Sequence, residues 1–180
     1  FAMSEALTII LKGKDPSRAT EKISLSQLGS IKLDKDERNK MLKSIPRSSI
    51  LGFLIGVLPG AGATIASFLA YGMERNYVNE DEKKKFGKGS VHGLAAPETA
   101  NNAACSGSFV PLLTLGIPGS GTTAVMLGAL LGFGIQPGPR LYMTNPEIFW
   151  SVIMSMYIGM VILLILNLPL IPYIARVLAT

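Results

Sequence analysis

Cysteine, histidine and tryptophan each occur once in the 180 residues, as Cys105, His92 and Trp150. A lone cysteine excludes a disulfide framework and leaves the redox compartment unconstrained. No Ser–His–Asp, Cys–His or metal-ligand set is present, so the sequence shows no enzyme machinery. The opening Phe1-Ala2-Met3 lacks a charged n-region with a cleavage site, so no signal peptide is expected there. The largest absence is of charge. Of the 17 Lys and Arg residues, ten lie within 12–47, five within 75–88, and only Arg140 and Arg176 remain. Residues 48–73, 99–139 and 148–175 carry no charged side chain at all. Each stretch exceeds the roughly 20 residues a helix needs to cross about 30 Å of hydrocarbon. A soluble domain of this size spreads its charge over every surface helix, and this sequence segregates it. The expected class is an integral membrane protein.

The net charge of +5 raises nucleic acid as a partner. The basic residues, however, flank apolar spans, alternate with Asp and Glu, and lack interleaved aromatics. That pattern marks cytoplasmic loops and a lipid environment, and excludes nucleic-acid binding.

Three regions follow. Residues 1–11 read as the end of a membrane helix, residues 12–47 as a cytoplasmic linker, and residues 48–180 as a transmembrane domain. Apolar sequence at both ends leads us to expect a piece of a larger protein. Within the linker, 33–44 (LDKDERNKMLKS) suits either a solvated connection or a short amphipathic helix on the membrane surface. Residues 48–73 are long enough to span, but Leu58-Pro59-Gly60-Ala61-Gly62 interrupts them, where proline removes a donor and glycine weakens a helix. About 11 residues precede Pro59, or about 16 Å of helix, half the hydrocarbon core. Both flanks are basic, so a re-entrant hairpin with its tip at 59–64 satisfies the positive-inside rule better than a broken spanning helix. Pro97 suits the first turn of a later helix, with Glu98 and Thr99 following. Residues 148–175 form the plainest membrane helix, with Trp150 as an interfacial anchor and Pro169 and Pro172 marking a kink or stop.

Two breaks repeat one pattern, apolar-Pro-Gly-small-Gly-small-Thr: Leu58 to Thr64 and Ile117 to Thr123. Irregular backbone at membrane depth survives only when buried in protein or lining a cavity. Discontinuous helices of this kind hold substrates and ions in secondary transporters. A half-helix start after each loop would aim unpaired amides at an anion such as a carboxylate. The candidate substrate-binding residues are therefore Pro59, Gly60, Ala61, Gly62 and Thr64 in the first loop. Pro118, Gly119, Ser120, Gly121, Thr122 and Thr123 are their counterparts in the second. Freed carbonyls and the hydroxyls of Thr64, Ser120, Thr122 and Thr123 could ligate a cation. The competing explanation is that these glycines only allow helices to pack closely.

Gly119, Gly121 and Ala124 also fit dinucleotide-fingerprint spacing, and residues 116–123 resemble a phosphate-binding loop. Thr122 stands where that loop requires lysine, and the following run is apolar on every face, so both nucleotide readings fail. Glu98 is the only acidic residue between Glu82 and Glu147. A carboxylate inside a membrane segment is costly and by default functional, as ion ligand or proton carrier; at the interface it would cap a helix. Asn101 and Asn102 could coordinate a cation or satisfy a turn. His92 reads as interfacial.

The strings at 51–75, 86–142 and 155–171 resemble the large transmembrane subunit of the tripartite tricarboxylate transporter family, and the similarity runs from about Arg47 to about Pro172. The family's Gly-rich motifs match at Pro59 to Thr64 and Pro118 to Thr123, and its Ala-Pro-Glu…Asn-Asn string at Ala96 to Asn102. The resemblance implies an all-α, polytopic fold with re-entrant or broken helices, here the second half of an inverted-repeat transporter. It implies a bacterial inner-membrane permease working with a small membrane subunit and a periplasmic solute-binding protein. It also implies ion-coupled uptake of di- or tricarboxylates such as citrate. Glu98, Asn101 and Asn102 are then the candidates for holding the coupling cation, Na+ or H+, and no other cofactor is expected. The alternative from another class is a membrane scaffold whose glycines serve packing alone.

Overall fold

The computed structural model describes residues 33–178, in which every regular element is a helix. The expected all-α class holds over those residues; the expectation for 1–11 lies outside them. The chain divides into two units. One is Leu33–Tyr157, and the described part of the other is 158–178, the C-terminal part of the last helix. In chain order the helices are α1 (Lys35–Val57), α2 (Gly62–Tyr77), α3 (Glu80–Lys83), α4 (Val91–Gly107), α5 (Phe109–Leu115), α6 (Gly121–Gly132), α7 (Leu141–Thr144) and α8 (Pro146–Leu178).

Helix α1 starts in the charged sequence. Asp34 caps it, Glu37 reaches back to the Asp34 amide at 3.0 Å, and Asp36 and Glu37 put negative charge in the first turn. The helix then runs through Pro46 and past the charge boundary at 47–48 without a break. The chain reverses over 58–61 and returns as α2. The legs are antiparallel: Ser44 and Arg47, midway along α1, meet Glu74 near the end of α2, while the turn at 58–61 joins the end of α1 to the start of α2. Each leg is longer than the apolar half-span alone suggests, about 35 Å for α1 and about 24 Å for α2 at the helical rise. The extra turns lie at the open end of the hairpin, where polar side chains extend it.

Helix α4 lies against both legs. It begins at Val91, where the Ser90 side chain accepts from the Gly93 amide at 3.1 Å. Pro97 is therefore an interior residue and not a first-turn one, because the cap at Ser90 starts the helix earlier. The seam between the three helices is built from small residues four apart. α1 contributes Ser44, Ser48, Gly52 and Gly56, α2 contributes Ala66 and Ala70, and α4 contributes Ala96, Ala100 and Ala104. That spacing places one stripe on one face of each helix. A Cβ on Gly52 would collide with the Ala100 backbone, and one on Gly56 with that of Ala104. A Cβ on Gly107 would lie 2.5 Å from the Phe53 carbonyl oxygen. The helices thus touch backbone to backbone, as small-residue interfaces allow in membranes.

Helix α5 ends at Gly116, whose φ of 70° turns the chain into the second Pro-Gly loop. The segment after α6 returns to α5, where the Gly138 amide donates to the Leu113 carbonyl at 3.3 Å. Within α8, Pro146–Ile171 is long and apolar enough to cross a membrane, alone among the described helices. The helix continues past Pro169 and Pro172 to Leu178, so neither proline stops it. Each costs one main-chain hydrogen bond, which a helix of 33 residues absorbs.

Candidate functional site

The two Pro-Gly loops have similar sequences and different local structures. In the first, Gly60 and Gly62 have φ of 80° and 69°, a region L side chains rarely adopt. Pro59 and Gly60 are exposed, and α2 begins with no side-chain cap at Ala61. The first-turn amides of α2 therefore lack a side-chain acceptor, and carry the partial positive charge of a helix start. In the second loop the helix caps itself. The Ser120 amide donates to Thr123 Oγ1 at 2.8 Å, and the Thr123 amide donates to Ser120 Oγ at 3.3 Å. Gly119 is buried, and a Cβ there would lie 2.9 Å from the Ser108 Cβ and 3.3 Å from the Gly56 carbonyl oxygen. That loop is seated where α1 and α4 end.

Both loops line one cavity of about 630 Å³. Gly60, Gly62 and Thr64 come from the first loop; Pro118, Gly119, Ser120, Gly121, Thr122 and Thr123 come from the second. Pro59 and Ala61, also expected at the site, do not line it. The volume suits a small organic ligand. Thr64 and Thr122 are exposed and form no side-chain hydrogen bond among the described residues, which leaves their hydroxyls available. The Ser120 and Thr123 hydroxyls are committed to the cap. Cys105, Ser108 and Phe109 supply a further wall at the end of α4 and the start of α5. Sequence reasoning missed these three, since nothing but proximity in space links them to the loops.

Glu98, Asn101 and Asn102 are not in this cavity. Glu98 is exposed, and its main-chain carbonyl accepts from Asn102 Nδ2 at 2.8 Å. Asn101 faces α2, donating to Ser67 Oγ at 3.4 Å, while Ser67 Oγ donates to the Pro97 carbonyl at 3.2 Å. Asn101 thus ties α4 to α2 partway along the hairpin. Among the described residues no group of three or more His, Cys, Asp or Glu side chains is placed to hold a metal ion.

A second polar cluster, absent from the sequence reading, occupies the open end of the hairpin. Glu74 is wholly buried. Its Oε1 accepts from Ser44 Oγ at 2.6 Å and from Arg47 Nη2 at 2.7 Å, and Arg47 Nε donates to Oε2 at 3.3 Å. His92, expected at an interface, is buried instead, with Nδ1 2.9 Å from Glu74 Oε1 and 2.7 Å from Ser44 Oγ. Arg47 also lies over the Tyr77 ring, 5.1 Å from its centroid. Burial pushes the Glu74 carboxyl up, but hydrogen bonds from Arg47, Ser44 and His92 outweigh it and hold it below the ordinary carboxylate value. Just outside, Lys40 pairs with Glu82 at 3.1 Å and joins α3 to α1. The signal for this cluster was spacing: Glu74 continues the Ala66–Ala70 stripe, and Ser44 continues that of Ser48 and Gly52.

The model of the tripartite tricarboxylate transporter TctA family matches residues 1–180. The chain belongs to that family. Two curated proteins of Agrobacterium vitis are similar to this TctA-family chain. The uncharacterized 52.8 kDa protein of the TAR-I ttuC' 3' region is 44% identical over 149 residues, 83% of this chain and 29% of that protein. The uncharacterized protein of the TAR-II ttuC' 3' region is 50% identical over 120 residues, 67% of this chain and 49% of that protein. The TctA-family chain thus spans less than half the length of these relatives. No solved structure matches it. Membership in a transporter family is consistent with a membrane-embedded, non-enzymatic protein.

Proposed function

We propose that this chain is part of the permease subunit of an ion-coupled tripartite transporter that takes up di- or tricarboxylates such as citrate across the bacterial inner membrane. The observation that carries the reading is the shared cavity: two loops whose matching residues lie 59 positions apart in sequence line one space of about 630 Å³. Each loop leads into the start of a helix; the uncapped first-turn amides of α2 favour a carboxylate, and the self-capped start of α6 supplies the facing wall. Thr64 and Thr122 add hydroxyls for a second oxygen of the substrate. Glu98, Asn101 and Asn102 lie outside the cavity, one to two turns before Cys105 on α4, and are the residues proposed for a coupling sodium ion. Delivery by a periplasmic solute-binding protein and assembly with a small membrane subunit are part of the same proposal, supported by membership in a tripartite transporter family.

The test is carboxylate binding to the purified full-length parent protein, in sodium against potassium buffer, across a citrate-to-succinate panel. Gly121→Val is the informative variant, because nothing lies within 4 Å of a Cβ at that position and its backbone is helical. The added methyls fill the cavity without displacing a neighbour, so citrate affinity should fall at least about tenfold with expression and thermal stability retained. Unchanged affinity in Gly121→Val removes the cavity from the substrate pathway.

A scaffold reading has one observation in its favour. Gly52, Gly56 and Gly107 serve packing alone, each with backbone where its Cβ would be. On that reading no small carboxylate binds the parent protein in either buffer.

A further inference from the structure

The cluster at the open end of the hairpin contains groups that substrate binding at the tip does not use. It lies about 18 Å from Gly62, measured by helical rise along α2. Its proton inventory is fixed by what each atom can do. Glu74 Oε1 faces three donors, Ser44 Oγ, Arg47 Nη2 and His92 Nδ1, which requires an ionised carboxylate. A ring nitrogen 2.9 Å from that oxygen must carry hydrogen, since two lone pairs would repel there. The Ser44 hydroxyl has two acceptors for its own proton, Glu74 Oε1 at 2.6 Å and the Lys40 carbonyl at 3.2 Å, so Nδ1–H also serves Ser44 Oγ at 2.7 Å. The neutral imidazole is thereby held as the Nδ1–H tautomer, with its basic lone pair on Nε2. No described side chain or carbonyl hydrogen-bonds to Nε2, and the residue is 6% exposed.

The surrounding charged groups come from every packed element. Arg47 and Lys40 stand on α1, with Lys40 turned to Asp36 and Glu82; Glu74 is on α2 and Glu82 on α3. Helix α4 brings His92, and its Glu98 is exposed further along. One carboxylate therefore stands between a fixed cation and a titratable imidazole. We propose that His92, clasped by Glu74 and Ser44, is a proton-binding site, and that carboxylate binding at the hairpin tip is linked to proton uptake on its Nε2. The linkage rests on the reading of the tip cavity as a carboxylate site.

The step is a protonation. A proton from water adds to the Nε2 lone pair, Nδ1 keeps its hydrogen, and no heavy-atom bond changes. Arg47 and Glu74 cancel, so the cluster goes from neutral to singly positive. The imidazolium then competes with Arg47 for Glu74, strengthening the α4–α2 contact relative to the α1–α2 contact. Helices α2 and α4 carry that change to Thr64 and Ser108 in the cavity wall. Linkage is reciprocal, so bound carboxylate favours the proton and the proton favours carboxylate.

The test uses the full-length parent and His92→Asn, whose side-chain amide keeps a donor near the Nδ1 position without a titratable nitrogen. Citrate Kd is measured for both from pH 5 to 8, and their ratio at each pH cancels the ionisation of citrate itself. The wild-type advantage should grow as pH falls across the series, by up to about tenfold per pH unit where one proton is taken up. A ratio constant to within about twofold overturns the proposal, including when sodium alone strengthens binding. Deuterium exchange at the imidazole C2 of His92, followed against pH without ligand, separates the two readings. A sigmoidal profile that moves in Glu74→Gln supports the proton site, and a profile without inflection overturns it. Absence of citrate and succinate binding in the wild type removes the carboxylate reading and the linkage with it, whichever way the exchange profile falls.

Discussion

The loops at 58–64 and 117–123 share a sequence pattern and reach their shapes by different means. The first depends on backbone conformation: two glycines at positive φ, open surroundings, and a helix start without a side-chain cap. The second depends on fit: a glycine pressed against Ser108 and a helix that supplies its own cap through Ser120 and Thr123. The first loop therefore leaves its amides open, and the second holds a fixed wall opposite. A carboxylate site built this way would have one adaptable side and one rigid side.

Substitutions can break this contrast. The largest effect is expected for Gly119→Val, whose branches must displace Ser108 and crowd the Gly56 carbonyl. Overpacking of that kind costs about 1–3 kcal/mol, so the parent protein should lose thermal stability together with citrate binding. Retained stability would mean that the second loop is not held by fit. Gly60→Ala comes next, costing roughly 1–2 kcal/mol from backbone strain alone because nothing lies near its Cβ. Asn at the same position should recover much of that loss, since it tolerates the left-handed region, whereas a packing role would make it worse than Ala. The smallest effect is expected for Ser120→Ala, at about 1 kcal/mol for a lost cap. Denaturation of the purified parent orders the three, and a Ser120→Ala loss above that for Gly119→Val would reverse the comparison.

Much of the cavity lining was legible because proline and glycine report on backbone directly. The repeated Pro-Gly strings located both loops, and their shared cavity follows from pairing α1–α2 against α4, for which the sequence offers only the four-residue spacing of small side chains. Pro97 misled because proline is common in first turns, and Ser90 is an equally good start signal one turn and more upstream. Helix α1 was underestimated because charge was taken to mark the end of an element, when it marked a change of surroundings along one helix. Glu98 drew attention as an isolated acid, while Glu74 was passed over because it adjoins Arg75 and a charged loop. Exposure decides between them: Glu74 is wholly buried and Glu98 is exposed.

The backbone-to-backbone seam bears on how this sequence can vary. At Gly52, Gly56 and Gly107 the permitted alphabet has one letter, because no residue is smaller and the neighbouring main chain cannot be trimmed by mutation. On the outward faces of the same helices, where Phe53, Leu54, Phe68 and Leu69 are exposed, any apolar side chain serves a lipid environment. A saturation library across 48–73 should therefore read as a periodic text. Positions without side chains would hold nearly all of its information, and the bulky residues that dominate its composition would hold little.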